Sequence, residues 1–331
     1  MLAAKYLKNF YLFLLNNFIW VLVVFFFLYG AISIPKFTSF QNITNLLYQS
    51  SATSMMILGM ALCLLSGHFD LSLESTFAFG PAIGILFVTI WFPNTNYIIG
   101  IIIALAVGAV VGFFNGILVV KLKINSFLAT LAMLIVLRGI VNFFTTQGIY
   151  TLKPGWLILG SGRFPGTIIS YSIPVTMGLF LIFNYIINNT AFGKNIIATG
   201  SNSKAAYLAG INVDRIWILV FTIAGVISSF GGLIGVGRMR AFLNTMGEGE
   251  ILLVFAGTVL GGISLAGGEG KIINALGGSF LLIIIATLLN LSGISPFLIK
   301  TFQGIILLIA ILLGNLKNVL YRLAIRGQTM L

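Results

Sequence analysis

The sequence is poor in the residues that carry chemistry in soluble proteins. It has one cysteine, one histidine and six acidic residues among 331. Cys63 cannot close an internal disulfide, and His68 cannot belong to a multi-histidine metal site. Charged residues make up 7% of the chain, against about 25% in an ordinary soluble domain. These shortages exclude a soluble enzyme, a disordered chain and a secreted disulfide scaffold, and they predict no catalytic residue, metal or cofactor.

Apolar residues are correspondingly abundant. They make up 59% of the chain, which is enough for about ten crossings of about 20 residues each. The apolar runs fall at 18–34, 46–65, 71–92, 97–120, 125–146, 167–188, 215–236, 250–265, 272–291 and 297–316. Runs of this length without strict alternation indicate helices, which satisfy their own backbone in hydrocarbon. We therefore predict one all-α polytopic transmembrane domain, residues 1–331, with about ten helices and a short, glycine-rich eighth crossing.

The net charge of +12 comes from basic residues placed between the apolar runs. This placement favours membrane topology and anionic lipid over nucleic acid as the explanation of the charge. With the N-terminus in the cytoplasm, the larger basic group lies inside: Lys5, Lys8, Lys121, Lys123, Lys194, Lys204, Arg215, Lys271, Lys317, Arg322 and Arg326. The smaller group lies outside: Lys36, Lys153, Arg163, Arg238 and Arg240. The bias predicts that both termini are cytoplasmic.

The chain has no phosphate-binding loop of the G-x-x-x-x-G-K-[ST] type. Gly270 and Lys271 are followed by Ile272, and Leu265 stands where the first glycine would be. ATP binding by that mechanism is excluded.

The most unusual local feature is the segment Gly67–Glu74, which lies between two apolar runs and contains His68, Asp70 and Glu74. Ionisable groups at membrane depth mark function. Three interpretations stay open: Asp70 or Ser72 caps the third helix, the segment lines a translocation path, or it relays protons. Asp70 and Glu74, four residues apart, would share a helix face.

Two basic residues fall in or near apolar runs. Arg138 and Lys300 either extend to an interface or pair with a buried acid such as Asp70 or Glu74.

Glycines predict close packing in one place and broken helices in another. Gly108, Gly112 and Gly116 form a small-x-x-x-small helix face. The glycines of 257–270 interrupt the eighth and ninth helices, and such breaks either line a cavity or reflect loose packing.

A long polar segment, 189–214, lies on the predicted cytoplasmic side. It contains a short amphipathic candidate helix, Ser203–Gly210. That helix either lies on the lipid surface or docks a soluble partner.

Four segments together resemble the permease subunits of bacterial sugar ABC importers of the ribose/xylose/galactose and autoinducer-2 type. The first is Gly67–Ser72, similar to G-G-I-D-L-S. The second comprises Phe114–Val119, Lys123–Phe127 and Leu137–Gly139. The third comprises Phe192–Lys194, Gly200–Asn202 and Ala205–Arg215. The fourth comprises Leu260–Gly268 and Gly293–Phe297. They span about 67–297 in the order and spacing of the family.

The resemblance implies a multi-pass permease of the bacterial inner membrane, with no catalytic residue of its own. It would pair with a second permease copy or a paralogue, two cytoplasmic ATPase subunits and an extracytoplasmic solute-binding protein. Residues 189–214 would form the loop that couples to the ATPase, through Gly193, Gly200, Lys204, Ala205, Ala206, Gly210 and Asp214. Candidates for the translocation path are His68, Asp70, Ser72, Asn115, Phe127 and Ser264.

The sequence departs from the family pattern at two places. Ser203 and Lys204 replace two acids in the coupling loop, which suggests a matching change in the ATPase. His68-Phe69 and Leu73-Glu74 replace smaller residues around Asp70, so the solute stays open among pentose, hexose, autoinducer-2-like and nucleoside ligands.

Two other functions compete with the importer. The first is an ion-coupled secondary transporter that uses Asp70 and Glu74 as coupling carboxylates. The second is an intramembrane enzyme or scaffold, for which the chain has few candidate catalytic groups.

Overall fold

A computed structural model describes residues 17–295, 298–299, 301–305, 308–309 and 312. The helices in this part are α1 Phe18–Ser33, α2 Phe40–Leu65, α3 Leu73–Leu86, α4 Tyr97–Val120, α5 Ser126–Phe144, α6 Ile158–Ser161, α7 Ser172–Asn189, α8 Ala191–Ser201, α9 Ser203–Leu208, α10 Val213–Met239, α11 Ile251–Leu260 and α12 Ile272–Leu291. A π-helical turn, Phe87–Trp91, extends α3. Extended pairing within the described residues is limited to two isolated bridges. The all-α prediction is confirmed for this part of the chain.

Among the described helices, seven are long and apolar enough to cross a membrane: α2, α3 with its π-helical turn, α4, α5, α7, α10 and α12. The first predicted crossing is the 16-residue helix α1, and the eighth is the 10-residue helix α11. Half of the tenth run, including Lys300, and both termini lie outside the described residues. The total of about ten crossings and the cytoplasmic termini therefore stay predictions.

Helix α10 is central and packs against α2, α3 and α4. The small-residue face of α4 lies directly on it. A methyl group at Gly112 would overlap the carbonyl oxygen of Phe221, and one at Gly225 would overlap that of Gly108. The predicted close packing at Gly108 and Gly112 is thus confirmed, because any side chain there would separate the two backbones.

The two ends of the bundle are named by the segments that lie there: the short helices α8 and α9 at one end, and the long loop 145–171 at the other. At the short-helix end, α8 touches the last residue of α2, where a methyl group at Gly200 would overlap the carbonyl oxygen of Leu65. At the long-loop end, residues 145–171 lie against the segment after α10, and Ile149 bridges Phe242.

Helix α11 begins in the middle of the bundle. Glu250, the residue before it, accepts a hydrogen bond from Thr53 at 3.2 Å, and Thr53 is the midpoint of the 26-residue helix α2. After α11, the N–H of Gly268 donates to the carbonyl of Leu65 at 3.0 Å. Helix α11 therefore runs from mid-bundle to the short-helix end and spans only about half of the membrane thickness.

Candidate functional site

The break between α2 and α3 contains a buried polar cluster. The Oδ1 atom of Asp70 accepts from the backbone N–H of Ser72 at 3.0 Å and from its hydroxyl at 2.6 Å. The side-chain amide of Asn115, on α4, donates to the Ser72 hydroxyl oxygen at 2.7 Å. All three side chains are buried. The structure therefore brings together three of the predicted path residues, and their hydrogen bonds tie α3 to α4.

Ser72 does not cap α3 with its side chain, whereas the carboxylate of Asp70 accepts from the backbone N–H of Ser72 at the start of the helix. The capping interpretation therefore holds for Asp70 and is wrong for Ser72. The Ser72 hydroxyl donates to Asp70 and is not an acceptor for the first N–H groups of the helix. Asp70 lies before α3, so it does not share a helix face with Glu74. The second carboxylate oxygen of Asp70 and the amide oxygen of Asn115 are buried and have no hydrogen-bond partner among the described residues. Such orphaned oxygens are rare in folded proteins and mark sites of strain or function.

The other three predicted path residues lie outside this cluster. The His68 ring packs edge-on against Trp217, with 4.3 Å between ring centroids, and against Phe221. Phe127 is 46% exposed at the start of α5, beside Phe69. Ser264 lies in the loop after α11, where its hydroxyl accepts from the N–H of Ala266 at 3.2 Å.

Glu74 and Arg138 form a second buried network, which we call the polar latch. The Oε1 atom of Glu74 lies 3.5 Å from an Arg138 nitrogen, and Oε2 accepts from the N–H of Ile251 at 3.0 Å. Arg138 also donates to the carbonyls of Asn244 and Met246 at 2.8 and 3.1 Å. Of the two interpretations of Arg138, pairing with a buried acid is confirmed. The latch joins α3 and α5 to the start of α11.

The latch holds an irregular stretch, residues 244–250, which we call the mid-membrane turn. Its backbone forms two successive tight turns, in which the N–H of Glu248 donates to Thr245 and that of Glu250 to Gly247. Gly247 and Gly249 adopt φ of +72° and +78°, a conformation that other residues rarely adopt. The sequence analysis missed this stretch. The available signal was Gly-Glu-Gly-Glu at 247–250, which contains two of the six acids.

The segment 189–214 folds into two helices rather than the single one predicted. Helix α8 begins at the cap Thr190, and α9 begins at the cap Asn202, whose side chain accepts from the N–H of Ala205 at 3.0 Å. A single turn follows, with Gly210 at φ +83°, before α10 starts. The short helix is thus Ser203–Leu208, because the left-handed residue ends it.

The predicted coupling residues divide into contacts with the bundle and exposed positions. Gly193 packs against α7, Gly200 packs against α2, and Ala206 is buried. Asp214 pairs with Lys121 at 2.8 Å on the surface. Lys204, Ala205 and Gly210 are exposed.

Helix α9 also exposes two large side chains that the sequence analysis did not single out. Tyr207 is 72% and Leu208 is 85% exposed. Together with Lys204 and Trp217 they border a shallow groove of about 430 Å³. This surface is suited to a protein partner, because tyrosine and leucine side chains bury large apolar areas on binding.

Known proteins of similar sequence are transport permeases. The ribose import permease RbsC of Escherichia coli K12 is 35% identical over 293 residues, covering 86% of this chain and 88% of that protein. The L-arabinose permease AraH of the same strain is 34% identical over 301 residues, covering 90% of each chain. The L-arabinose ABC transporter permease AraH of Azospirillum brasilense is 33% identical over 302 residues, covering 90% of this chain and 87% of that protein.

Permeases of this kind are non-enzymatic proteins of the cytoplasmic membrane, and separate ATPase subunits hydrolyse the ATP. They work with ATPase and solute-binding partners. A family model described as the permease component of branched-chain amino acid transport systems matches residues 42–311. With the relatives above, this match shows that the chain belongs to the family of ABC importer permease subunits.

Proposed function

We propose that this permease carries a sugar into the cell. The observation that supports the solute class is the similarity, over about nine-tenths of the chain, to permeases named for ribose and L-arabinose. The family description names amino acids, but the individual relatives named above are sugar permeases. Sugars also suit the polar clusters inside the bundle, since hydroxyl groups pair with carboxylate, amide and hydroxyl oxygens.

In this proposal, the short-helix end faces the cytoplasm and α9 docks in a groove of the ATPase. Lys121, Lys123, Lys194, Lys204, Arg215 and Lys271 all lie near that end, as the positive-inside rule requires. The apolar faces of Tyr207 and Leu208 provide contact area, and Lys204 provides charge.

A second copy of the permease, or a paralogue, packs against α5 and completes the path between the two subunits. Helix α5 is buried on one side only. Its other side exposes Ile135, Val136 and Phe143, at 64%, 55% and 77%. The faces that the second subunit leaves free contact membrane lipid.

The path candidates follow from this arrangement. The Asp70–Ser72–Asn115 cluster lies beside the inner half of α5, where Leu71 donates to the Thr130 hydroxyl at 3.0 Å. We assign His68, Phe127 and Ser264 to the cytoplasmic mouth of the path, near the coupling loop.

A docking test on α9 checks the proposed coupling. Tyr207→Asp and Leu208→Asp place a carboxylate in the contact, and we expect at least about tenfold less ATPase to copurify. Tyr150→Asp is the matched control, because Tyr150 is 71% exposed at the opposite end. Wild-type recovery of the ATPase with both α9 variants would move the docking site elsewhere.

An uptake test checks the solute and the energy source. Proteoliposomes that contain the whole transporter should import labelled ribose or arabinose only with ATP and the binding protein. Collapse of the ion gradient should not affect this uptake. Import by the permease alone, abolished by Asp70→Asn, would instead support the ion-coupled alternative. Failure to import either sugar would refute the solute class.

A further inference from the structure

The mid-membrane turn lies deep inside the membrane region, according to three independent contacts. Arg138, whose guanidinium binds the carbonyls of residues 244 and 246, is six residues or about 9 Å from the long-loop end of α5. Glu250 bonds Thr53, halfway along α2. Gly247 lies beside Phe77, a residue of the first turns of α3. These contacts place the whole turn well below the membrane surface.

At this depth the turn exposes polar groups. Thr245, Glu248 and Gly249 are exposed, and a methyl group at Gly249 would meet nothing within 4 Å. Asn142, also exposed, lies one helical turn beyond Arg138 on nearly the same face of α5. An acidic side chain facing lipid at this depth is costly, so such groups face a water-filled cavity or a protein. The surface around Glu248 is therefore turned toward an aqueous space or a partner.

The turn is also fixed in place. The buried guanidinium of Arg138 holds two of its carbonyls, and Glu74 holds the first N–H of the helix that follows. A fixed loop presents its side chains with less loss of entropy on binding than a mobile one. The exposed groups are a carboxylate and a hydroxyl. The carboxylate accepts hydrogen bonds from the hydroxyl groups of a polyol, and the hydroxyl can donate a hydrogen bond to a neighbouring hydroxyl or accept one from it.

We propose that Thr245 and Glu248 form a hydroxyl-binding site on the translocation path, where a polyhydroxylated solute is bound midway across the membrane. This site rests on the proposed function of sugar import and adds residues outside the segments that suggested it. Glu248 accepts hydrogen bonds from solute hydroxyls, and Thr245 exchanges a hydrogen bond with a neighbouring one. The half-helix α11 and the turn together form the wall that carries this site.

The first experiment measures uptake by the complete transporter in proteoliposomes, with labelled ribose and arabinose. Glu248→Ala should lower uptake about tenfold, as the loss of a charged hydrogen bond does, and Thr245→Val should lower it severalfold. Recovery of the complete complex should match wild type. Glu269→Gln is the control for Glu248→Gln, because it removes the same charge from an exposed site at the short-helix end. Glu248→Gln should reduce uptake, whereas the control should stay within about twofold of wild type.

Unchanged uptake in Glu248→Ala and Glu248→Gln would overturn the site. Loss of the second permease copy from the purified complex would also overturn it, since Glu248 would then be an interface residue.

The second experiment uses no sugar, so it tests whether water reaches this site independently of which solute is transported. Thr245→Cys should react with a charged, membrane-impermeant thiol reagent, and the lone native cysteine, Cys63, is buried and serves as the background. Val110→Cys, near the middle of α4 on its exposed apolar face, is the exposed but unreactive control. If Thr245→Cys is as unreactive as Val110→Cys, no aqueous path reaches the turn and the site is refuted. Reactivity together with failed sugar import would refute the solute class alone.

Discussion

At the scale of single residues, Arg138 connects three separate parts of the fold. Its charge is buried. Its described partners are the carboxylate of Glu74 and the backbone carbonyls of Asn244 and Met246, which lie more than 100 residues away in the sequence. Removing one member of a buried charge pair leaves the other uncompensated, and the loss is then larger than the net contribution of the pair. Lysine cannot replace arginine here. The planar guanidinium group presents several N–H donors in fixed directions and reaches three acceptors, whereas the ammonium group of lysine is a compact charge without that geometry.

We therefore predict that Arg138→Gln and Glu74→Gln each lower the free energy of unfolding by about 3 kcal/mol. The double variant should lose less than the sum, because the two residues share one network. Titration with a denaturing detergent measures these values. Lys121→Gln, which breaks the exposed pair with Asp214, should lose less than about 1 kcal/mol. Strict additivity of the two latch variants would show that Glu74 and Arg138 do not interact.

The sequence predicted part of this chemistry. The unusual acids at 70 and 74 and the intramembrane Arg138 are visible as charges in apolar runs. Pairing of Arg138 with Glu74 was one open alternative, because a contact between residues 64 apart depends on the packing of α3 against α5. The mid-membrane turn could not be located, since its depth depends on the point at which α11 begins.

Among elements, the α4–α10 pair depends on the absence of side chains. Gly108 and Gly112 of α4 meet Gly225 and the carbonyl of Phe221 on α10 at backbone contact. In hydrocarbon no hydrophobic effect drives helices together, so the van der Waals contact made by this close approach stabilises the pair instead.

Gly112→Ala should therefore lower the free energy of unfolding by about 1–3 kcal/mol, because its methyl group must push the two helices apart. Gly178→Ala is the matched control, since a methyl group there meets nothing within 4 Å of it, and its effect should stay within about 1 kcal/mol. The same detergent titration compares them. Equal stability of the two variants would mean that the helices separate freely at Gly112.

Helix periodicity and apolar length predicted most elements well. The observed α4, α5 and α12 lie within about two residues of the predicted runs. The break at α11 was predicted only as a short, glycine-rich crossing, because hydropathy does not distinguish a crossing of full depth from a half-helix. The extra helix α8 was missed, since its polar residues are typical of a loop.

At the scale of the whole molecule, α8 and the loop after the half-helix α11 meet at one contact on α2. Gly200 of α8 lies against the carbonyl of Leu65, and that carbonyl also accepts from the N–H of Gly268 in the loop after α11. In the proposed coupling, displacement of α8 by a docked ATPase would act on the end of α2 and on the loop after α11. The N–H of Ile251, at the other end of α11, is bound by Glu74, so the half-helix connects the short-helix end to the middle of the bundle.

This connection predicts that Gly200→Ala uncouples transport. Its methyl group would overlap the Leu65 carbonyl and displace α8 from both neighbours, although the exposed face of α9 is unchanged. The ATPase should still bind, and the ATP hydrolysed per sugar imported in proteoliposomes should rise at least about twofold. Gly160→Ala makes a comparable overlap, with the backbone nitrogen of Arg238 at the long-loop end, so it controls for lost stability. An equal rise in both variants would assign the effect to general destabilisation, and an unchanged ratio in Gly200→Ala would exclude this contact from coupling.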